Sequence, residues 1–239
     1  MKINYIFERI EKKYLLNEEK YQALLKVLLK YMKEDEYGLT TICNIYFDTE
    51  NNDLIRKSID KPKYKEKLRL RSYGVPKDED RVFIEIKKKY DGVVYKRRVS
   101  MNLKEANEYL DYGIKPNKTN QIMKEIEYFI SYHKPKPKLF LAYDRVAYYG
   151  KEDSNLRVTV DRNIRSRDYD LDLSKGDYGD RLLDNDMYIM EIKIPMAMPM
   201  WLTKELTRLQ IFPTSFSKYG NIYKKNLINK KEEIECLQV

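Results

Sequence analysis

The side chains able to do chemistry in this chain are mostly cations, and they recur at every second position. Arg9, Glu11 and Lys13 open the series. Lys65, Lys67, Arg69 and Arg71 follow, then Glu85, Lys87 and Lys89, then Lys96 and Arg98, then Arg145, Arg157, and finally Glu191 and Lys193. On an extended strand, residues i, i+2 and i+4 share one face, so Lys65, Lys67, Arg69 and Arg71 form a row with a spacing of about 7 Å. Like charges in a row repel unless acids dilute them or a polyanion lies between them. The first chemistry to consider is therefore the binding of a phosphate-rich ligand. Charges alternating with apolar residues also mark any antiparallel sheet with one face in water. A solvated face would mix signs with Thr, Gln and Glu, whereas here the same bias returns in seven segments. The acids Glu11, Glu85 and Glu191 have two readings: ligands for a divalent cation, or counter-ions to lysines two residues away.

Bulk composition narrows the partners. The chain has 239 residues, 42% hydrophobic and 36% charged, with a net charge of +9. That allows a sizeable core beneath an ionic surface that prefers anions. High Lys, Tyr, Ile and Asn usage fits an AT-rich coding sequence, so the placement of the charges says more than their sum. Cys43 and Cys236 form no C-x-x-C pair, which argues against a disulfide framework and fits a reducing, cytoplasmic setting. His133 is the single histidine and sits in a Lys/Pro-rich stretch that reads as a solvent-facing loop, so a His-based zinc site or a Ser-His-Asp triad is excluded. No targeting signal and no run of about 18 apolar residues is visible.

These side chains need strands to hold them. Residues 7–14 read as a strand, and Asn17 caps a helix to about Lys33 with Tyr21, Leu24, Leu25, Leu28, Leu29 and Met32 on one stripe. Strands are predicted at 40–48, 64–73, 81–90 and 93–101, with Asp91-Gly92 as the hairpin turn. Asn102 opens a helix to about Leu110, and a second covers 119–132. Further strands are predicted at 138–149, 155–162 and 187–194. Residues 163–186 read as a solvated, Asp-rich loop with room for one small strand. Helices return around Trp201–Leu209 and after Gly220, with Trp201, Leu202, Leu206 and Leu209 as a packing stripe.

About eight strands with hairpin spacing and helices between them describe an α+β chain. An antiparallel sheet of this size tends to close, which removes its edges. If helices cover the apolar positions (Leu68, Leu70, Ile84, Ile86, Met190, Ile192, Ile194) from outside, the charged positions face inward. The expectation is a closed, eight-stranded antiparallel barrel with a basic lumen, forming a single domain over 1–239 with its core at about 5–225 and a tail at 226–239.

Several motifs appear in order. Glu11-Lys12-Lys13-Tyr14 follows Phe7-Glu8-Arg9. Next come Tyr64-Lys65-Glu66-Lys67-Leu68-Arg69-Leu70-Arg71, Phe83-Ile84-Glu85-Ile86-Lys87, Tyr143-Asp144-Arg145, Leu156-Arg157-Val158-Thr159-Val160-Asp161, Met190-Glu191-Ile192-Lys193 and Phe216-Ser217-Lys218-Tyr219. Each is weak alone. Their order and spacing over roughly residues 5–225 resemble the VTC domain, the polyphosphate polymerase branch of the triphosphate tunnel metalloenzymes. The resemblance implies a tunnel lined by Lys, Arg and Glu, a divalent metal (Mn²⁺ or Mg²⁺), and transfer of the γ-phosphate of ATP to a growing polyphosphate chain. It implies Lys13, Arg69, Arg71, Lys87, Arg145 and Arg157 as phosphate ligands, with Lys65, Lys67 and Lys193 beside them. Lys96 is a weaker match, because Lys96-Arg97-Arg98 leaves the register open. Glu191 matches the metal-binding carboxylate, with Glu11 and Glu85 as further candidates, and Lys218 matches a lysine near the reaction centre. Tunnel triphosphatases open on Glu-x-Glu-x-Lys. Here Arg9 stands at the first Glu position, which favours a longer polyanion over two-metal hydrolysis.

Phosphoryl transfer needs positioning and charge neutralisation rather than a covalent nucleophile. The expected function is thus a metal-dependent polyphosphate polymerase with ATP and inorganic polyphosphate as partners. A triphosphatase using water as acceptor and a non-catalytic binder of polyphosphate or inositol phosphates are the alternatives. Nucleic acid is not expected, because few aromatics interleave with the cations. Any coupled translocation would require a separate membrane partner.

Overall fold

In a computed structural model the protein is described over residues 10–91, 93–116, 120–195 and 197–237, with side chains through residue 227. Arg9, the turn residue Gly92 and the start of the strand expected at 7–14 lie outside these residues. In chain order the elements are β1 (Ile10–Asn17), α1 (Glu18–Tyr31), β2 (Met32–Glu34), β3 (Thr40–Asp48), α2 (Asp53–Ile59), β4 (Tyr64–Tyr73), β5 (Arg81–Tyr90), β6 (Val93–Asn102), α3 (Leu103–Tyr112) and α4 (Gln121–His133). After them come β7 (Lys136–Gly150), β8 (Arg157–Arg167), a 3-10 turn at Leu173–Lys175, β9 (Asp180–Arg181), β10 (Met187–Ile194), α5 (Met200–Arg208), β11 (Pro213–Thr214) and α6 (Lys218–Leu237).

The chain divides into two compact units. The first holds Met1–Thr41, Tyr143–Ile164 and Leu183–Phe216; the second holds Ile42–Ala142, Arg165–Leu182 and Ser217–Val239. Strand order in the first is β11-β1-β10-β8-β7, and in the second β7-β3-β4-β5-β6, within an 11-stranded sheet. Among the described residues this order does not return from β6 to β11, and eleven strands stand where eight were expected. The closed eight-stranded barrel is corrected accordingly, while the antiparallel α+β character holds. The extra strands β2, β9 and β11 are two or three residues long, too short for periodicity to reveal them.

In the first unit Tyr14 and Leu16 of β1, Val158 and Val160 of β8, and Met190, Ile192 and Ile194 of β10 are buried with Tyr21, Leu24 and Leu28 of α1 and Leu202 and Leu206 of α5. The Asn17 side chain accepts from the Lys20 amide at 3.0 Å, and Glu18 and Glu19 complement the positive end of α1. Trp201 stacks on Tyr31 at 4.3 Å. In the second unit Ile45, Phe47, Leu68, Leu70, Val82, Ile84, Ile86 and Val99 are buried against Leu103, Ala106 and Tyr109 of α3 and Met123, Ile126 and Phe129 of α4. Asn102 and Glu105 form a reciprocal capping box at α3, and Gly113 closes that helix at φ 72°. In each unit the helices cover the even-numbered apolar positions of β1, β4 and β5, which commits the odd-numbered charged positions to the other side.

Two expectations change locally. His133 is the last residue of α4 rather than a loop residue, and its Nε2 lies 2.9 Å from Glu66 Oε1. The Asp-rich stretch after β8 is not simply solvated. Arg167, 3% exposed, lies over the Phe140 ring and donates to the main-chain oxygens of Asp170, Asp172 and Tyr178. Arg165 donates to the Asp177 carbonyl and carboxylate at 2.5 Å each. No helix among the described residues is long and apolar enough to cross a membrane.

Candidate functional site

Strands β4, β5 and β6 of the second unit carry a regular grid. Paired residues in antiparallel strands point to the same side. The register therefore sets Lys65 opposite Lys89 and Val94, then Lys67 opposite Lys87 and Lys96, then Arg69 opposite Glu85 and Arg98, then Arg71 opposite Phe83 and Ser100. In these four rows eight cations share a face with a single carboxylate, Glu85, and Arg81 stands one row further on. That carboxyl is 1% exposed. Its Oε2 accepts from Arg69 Nε at 2.8 Å and Nη2 at 2.6 Å, with Arg71 Nη1 at 3.7 Å, and Lys96 Nζ lies 2.8 Å from Oε1. Burial pushes the Glu85 carboxyl up, but Arg69, Arg71 and Lys96 outweigh it and hold it at about 2. Burial pulls Lys96 down, and despite Glu85 its ammonium is held at about 8.

Two neighbours of this face come from β3. Asn44, fully buried, accepts from Arg71 Nε at 2.9 Å and donates to the Leu141 carbonyl at 3.0 Å. Tyr46 Oη accepts from Arg69 Nη1 at 3.1 Å. Burial raises the Tyr46 phenol, yet Arg69, Lys67 and Arg71 bring it to about 8. The Tyr46 ring lies 4.9 Å from that of Tyr219, and Lys67 Nζ sits 5.9 Å from the Tyr219 ring. Tyr219 donates to Asp48 Oδ2 at 3.1 Å, and the same carboxylate accepts the amides of Thr49, Leu54 and Ile55. Asp48 thereby joins the end of β3, the start of α2 and the start of α6, whose first residue is Lys218.

The first unit builds its own face. Glu11 pairs with Lys193 and Lys13 with Glu191 across β1 and β10, and Glu191 and Lys193 pair in turn with Thr159 and Arg157 of β8. Acids and lysines alternate in a checkerboard, with Glu11 and Glu191 on one diagonal. Glu191 Oε1 lies 2.8 Å from Lys193 Nζ. Burial raises the Glu191 carboxyl, but Lys193, Lys13 and Arg145 hold it well below the usual carboxylate range. Lys13 Nζ donates to the Phe216 carbonyl at 3.0 Å. Arg145 grips Asp161 with both ends of its fork, Nε to Oδ1 at 2.6 Å and Nη2 to Oδ2 at 2.8 Å.

The predicted residues therefore gather in two sets. Lys65, Lys67, Arg69, Arg71, Glu85, Lys87, Lys96 and Lys218 belong to the second unit; Glu11, Lys13, Arg145, Arg157, Glu191 and Lys193 belong to the first. Sequence reasoning missed Asn44, Tyr46, Asp48 and Asp161, all polar residues buried at or below 9% exposure beside the cations. It also missed Thr159, whose buried Oγ1 has no hydrogen-bond partner among the described residues. For Asp161 a signal existed in the Val-Thr-Val-Asp alternation, which sets it on the face of Arg157.

Among the described residues no three of His, Cys, Asp and Glu gather as metal ligands. Magnesium and manganese sites commonly take one or two carboxylates plus phosphate oxygens. The diagonal pair Glu11 and Glu191 fits that demand, whereas both Glu85 oxygens already face cations.

Residues 8–226 match the family model of the VTC domain. No curated protein matches the sequence. Among solved structures, a candidate adenylate cyclase from Bacillus halodurans aligns at a TM-score of 0.55 with 16% identity, over 88% of this chain and 95% of its own. A candidate adenylyl cyclase from Hippeastrum aligns at 0.52, also with 16% identity, over 91% of this chain and 96% of its own. Both are likenesses of fold.

Proposed function

Since the chain belongs to the VTC domain family, we propose that it is a metal-dependent phosphotransferase moving the γ-phosphate of ATP onto inorganic polyphosphate. The observation that carries this function is the face of β4, β5 and β6, where a run of cations shares one side with a single carboxylate. Arg69 and Arg71 hold fixed forks for non-bridging oxygens, with Glu85, Tyr46 and Asn44 setting their orientation. Glu85 is a positioning residue in this scheme. Lys65, Lys67, Lys87 and Lys96 neutralise charge along the chain of phosphates, and Lys218, at the start of α6, takes the part of the family's lysine near the reaction centre. In the first unit Lys13, Lys193, Arg145 and Arg157 supply further cations, with Arg145 aligned by Asp161. Glu191 and Glu11 are the residues that would hold Mg²⁺ or Mn²⁺, and a bound ion would supply charge neutralisation for phosphate oxygens. The acceptor is the ionised terminal phosphate of polyphosphate, so no protein base has to remove a proton.

The second function is triphosphate hydrolysis with water as acceptor. It is favoured by the Hippeastrum structure, which is described as having a dominant triphosphatase activity. Incubation of the protein with ATP and Mn²⁺, followed by gel electrophoresis stained for polyphosphate and a phosphate assay on the same sample, separates them. A ladder of anionic polymer together with ADP is expected. Orthophosphate without a ladder makes the protein a triphosphatase. Neither product, with ATP bound, leaves a binding module.

A further inference from the structure

The cationic face of the second unit is not the same at its two ends. At one end the rows are lysines: Lys65 with Lys89, then Lys67 with Lys87 and Lys96. At the other end rings stand among the cations, with Arg81 two residues before Phe83 on the same side of β5. Phe83 stands directly opposite Arg71 in the register, and Tyr73 is two residues beyond Arg71 on the same side of β4. Tyr73 is 53% exposed, and its ring meets Phe83 edge-on at 5.8 Å and 84°. The Arg98 guanidinium lies 4.7 Å from the Phe83 ring centre.

We infer that this face has a polarity, with Tyr73, Phe83 and Arg98 as a stacking platform for the nucleobase of the phosphoryl donor and the lysine end as the track for the polyphosphate chain. The inference rests on the phosphotransferase function proposed above and adds to it the orientation and class of the donor. A nucleoside triphosphate is an anion with an aromatic group at one terminus only. Inorganic tripolyphosphate is an anion at both. A surface built for the second alone needs no exposed ring among its cations. An exposed ring and an arginine fork beside the last phosphate-binding arginine match the first, because base-aromatic stacking and arginine-π contact need no particular base edge. The donor is accordingly a nucleoside triphosphate with little discrimination among bases. Its triphosphate crosses Arg71 and Arg69 toward Lys67, Lys87 and Lys96. Tyr73 and Phe83 act here as specificity-determining residues, since they touch the base and not the reacting atoms.

Calorimetric titration of the full chain with ATP and with tripolyphosphate, each with Mg²⁺, tests this. Tyr73→Ala is expected to weaken ATP by about tenfold while tripolyphosphate shifts by less than about twofold, and Tyr73→Phe is expected to keep ATP affinity. Lys89→Ala is expected to weaken long-chain polyphosphate more than ATP. If Tyr73→Ala moves ATP and tripolyphosphate together, or moves neither, the platform is overturned while anion binding by the face stands. If Lys89→Ala weakens ATP the more, the assigned polarity is reversed and the inference is lost. If wild-type protein binds neither ligand, the phosphotransferase function itself fails and this inference with it. Circular dichroism on each variant separates loss of binding from loss of fold.

Discussion

Glu85 shows how one acid makes a crowded set of cations tolerable. Its carboxylate is held ionised by Arg69, Arg71 and Lys96, with a folded value of about 2 against an ordinary 4.5. A depressed acid contributes stability above its unfolded value and loses it as pH falls through the folded value. Glu85→Gln is therefore expected to lower stability at about pH 7 by several kcal/mol, as for a broken buried ion network, and the deficit should shrink as pH drops toward about 2. Urea titrations of both proteins across that window would read it. Lys96 and Tyr46 titrate at the other limit, each near 8. Raising the pH through 8 removes a positive charge from one and adds a negative charge to the other. Tripolyphosphate affinity should fall across this range, and Lys96→Arg should remove part of the fall, because a guanidinium stays charged. A third residue separates metal from phosphate. Glu191→Gln is expected to cut metal-dependent turnover more than ATP binding, and equal losses in both would assign the side chain to structure alone.

At the scale of elements, what could be read depended on where each stabilising partner lay in sequence. The helices α1 and α3 announced themselves through local caps, Asn17 and Asn102, and through apolar stripes. Asn102→Ala is expected to cost about 1 kcal/mol through loss of its capping box, seen as a lower urea midpoint with unchanged slope. Helix α2 gave no such sign. Asn52 makes no side-chain cap, and the helix amides of Leu54 and Ile55 are satisfied by Asp48, the last residue of the preceding strand. The alternation of β4, β5 and β10 set their charged residues on the face opposite the buried apolar ones because period-two patterning is local. Asn44 and Tyr46 are brought to Arg71 and Arg69 from β3, and Asp161 to Arg145 of β7, by pairing between strands, which no single segment encodes. The strand extension to Arg167 was hidden for a related reason. Arg165 and Arg167 looked like loop charges, but they bury themselves by binding main-chain oxygens of the loop that follows. A side chain that grips carbonyls leaves no complementary residue to recognise.

Taken whole, the chain carries a net charge of +9, and much of it is concentrated rather than dispersed. Binding that neutralises phosphates with lysine and arginine should weaken steeply with salt, so polyphosphate affinity is expected to fall linearly in log–log form as ionic strength rises. The α+β character and the strand faces followed from patterning. Closure did not, because closing a sheet depends on how the first and last strands meet, and short strands such as β11 change which strands those are. The lysine end of the β4–β5–β6 face has a last consequence, for the lifetime of the protein. Lys65, Lys67, Lys87 and Lys89 share one face of two adjacent strands, and like charges so placed oppose one another. A ligand that binds only the folded chain shifts the balance by mass action. Added tripolyphosphate is therefore expected to slow limited proteolysis of the folded chain, read as a longer half-life of the intact band.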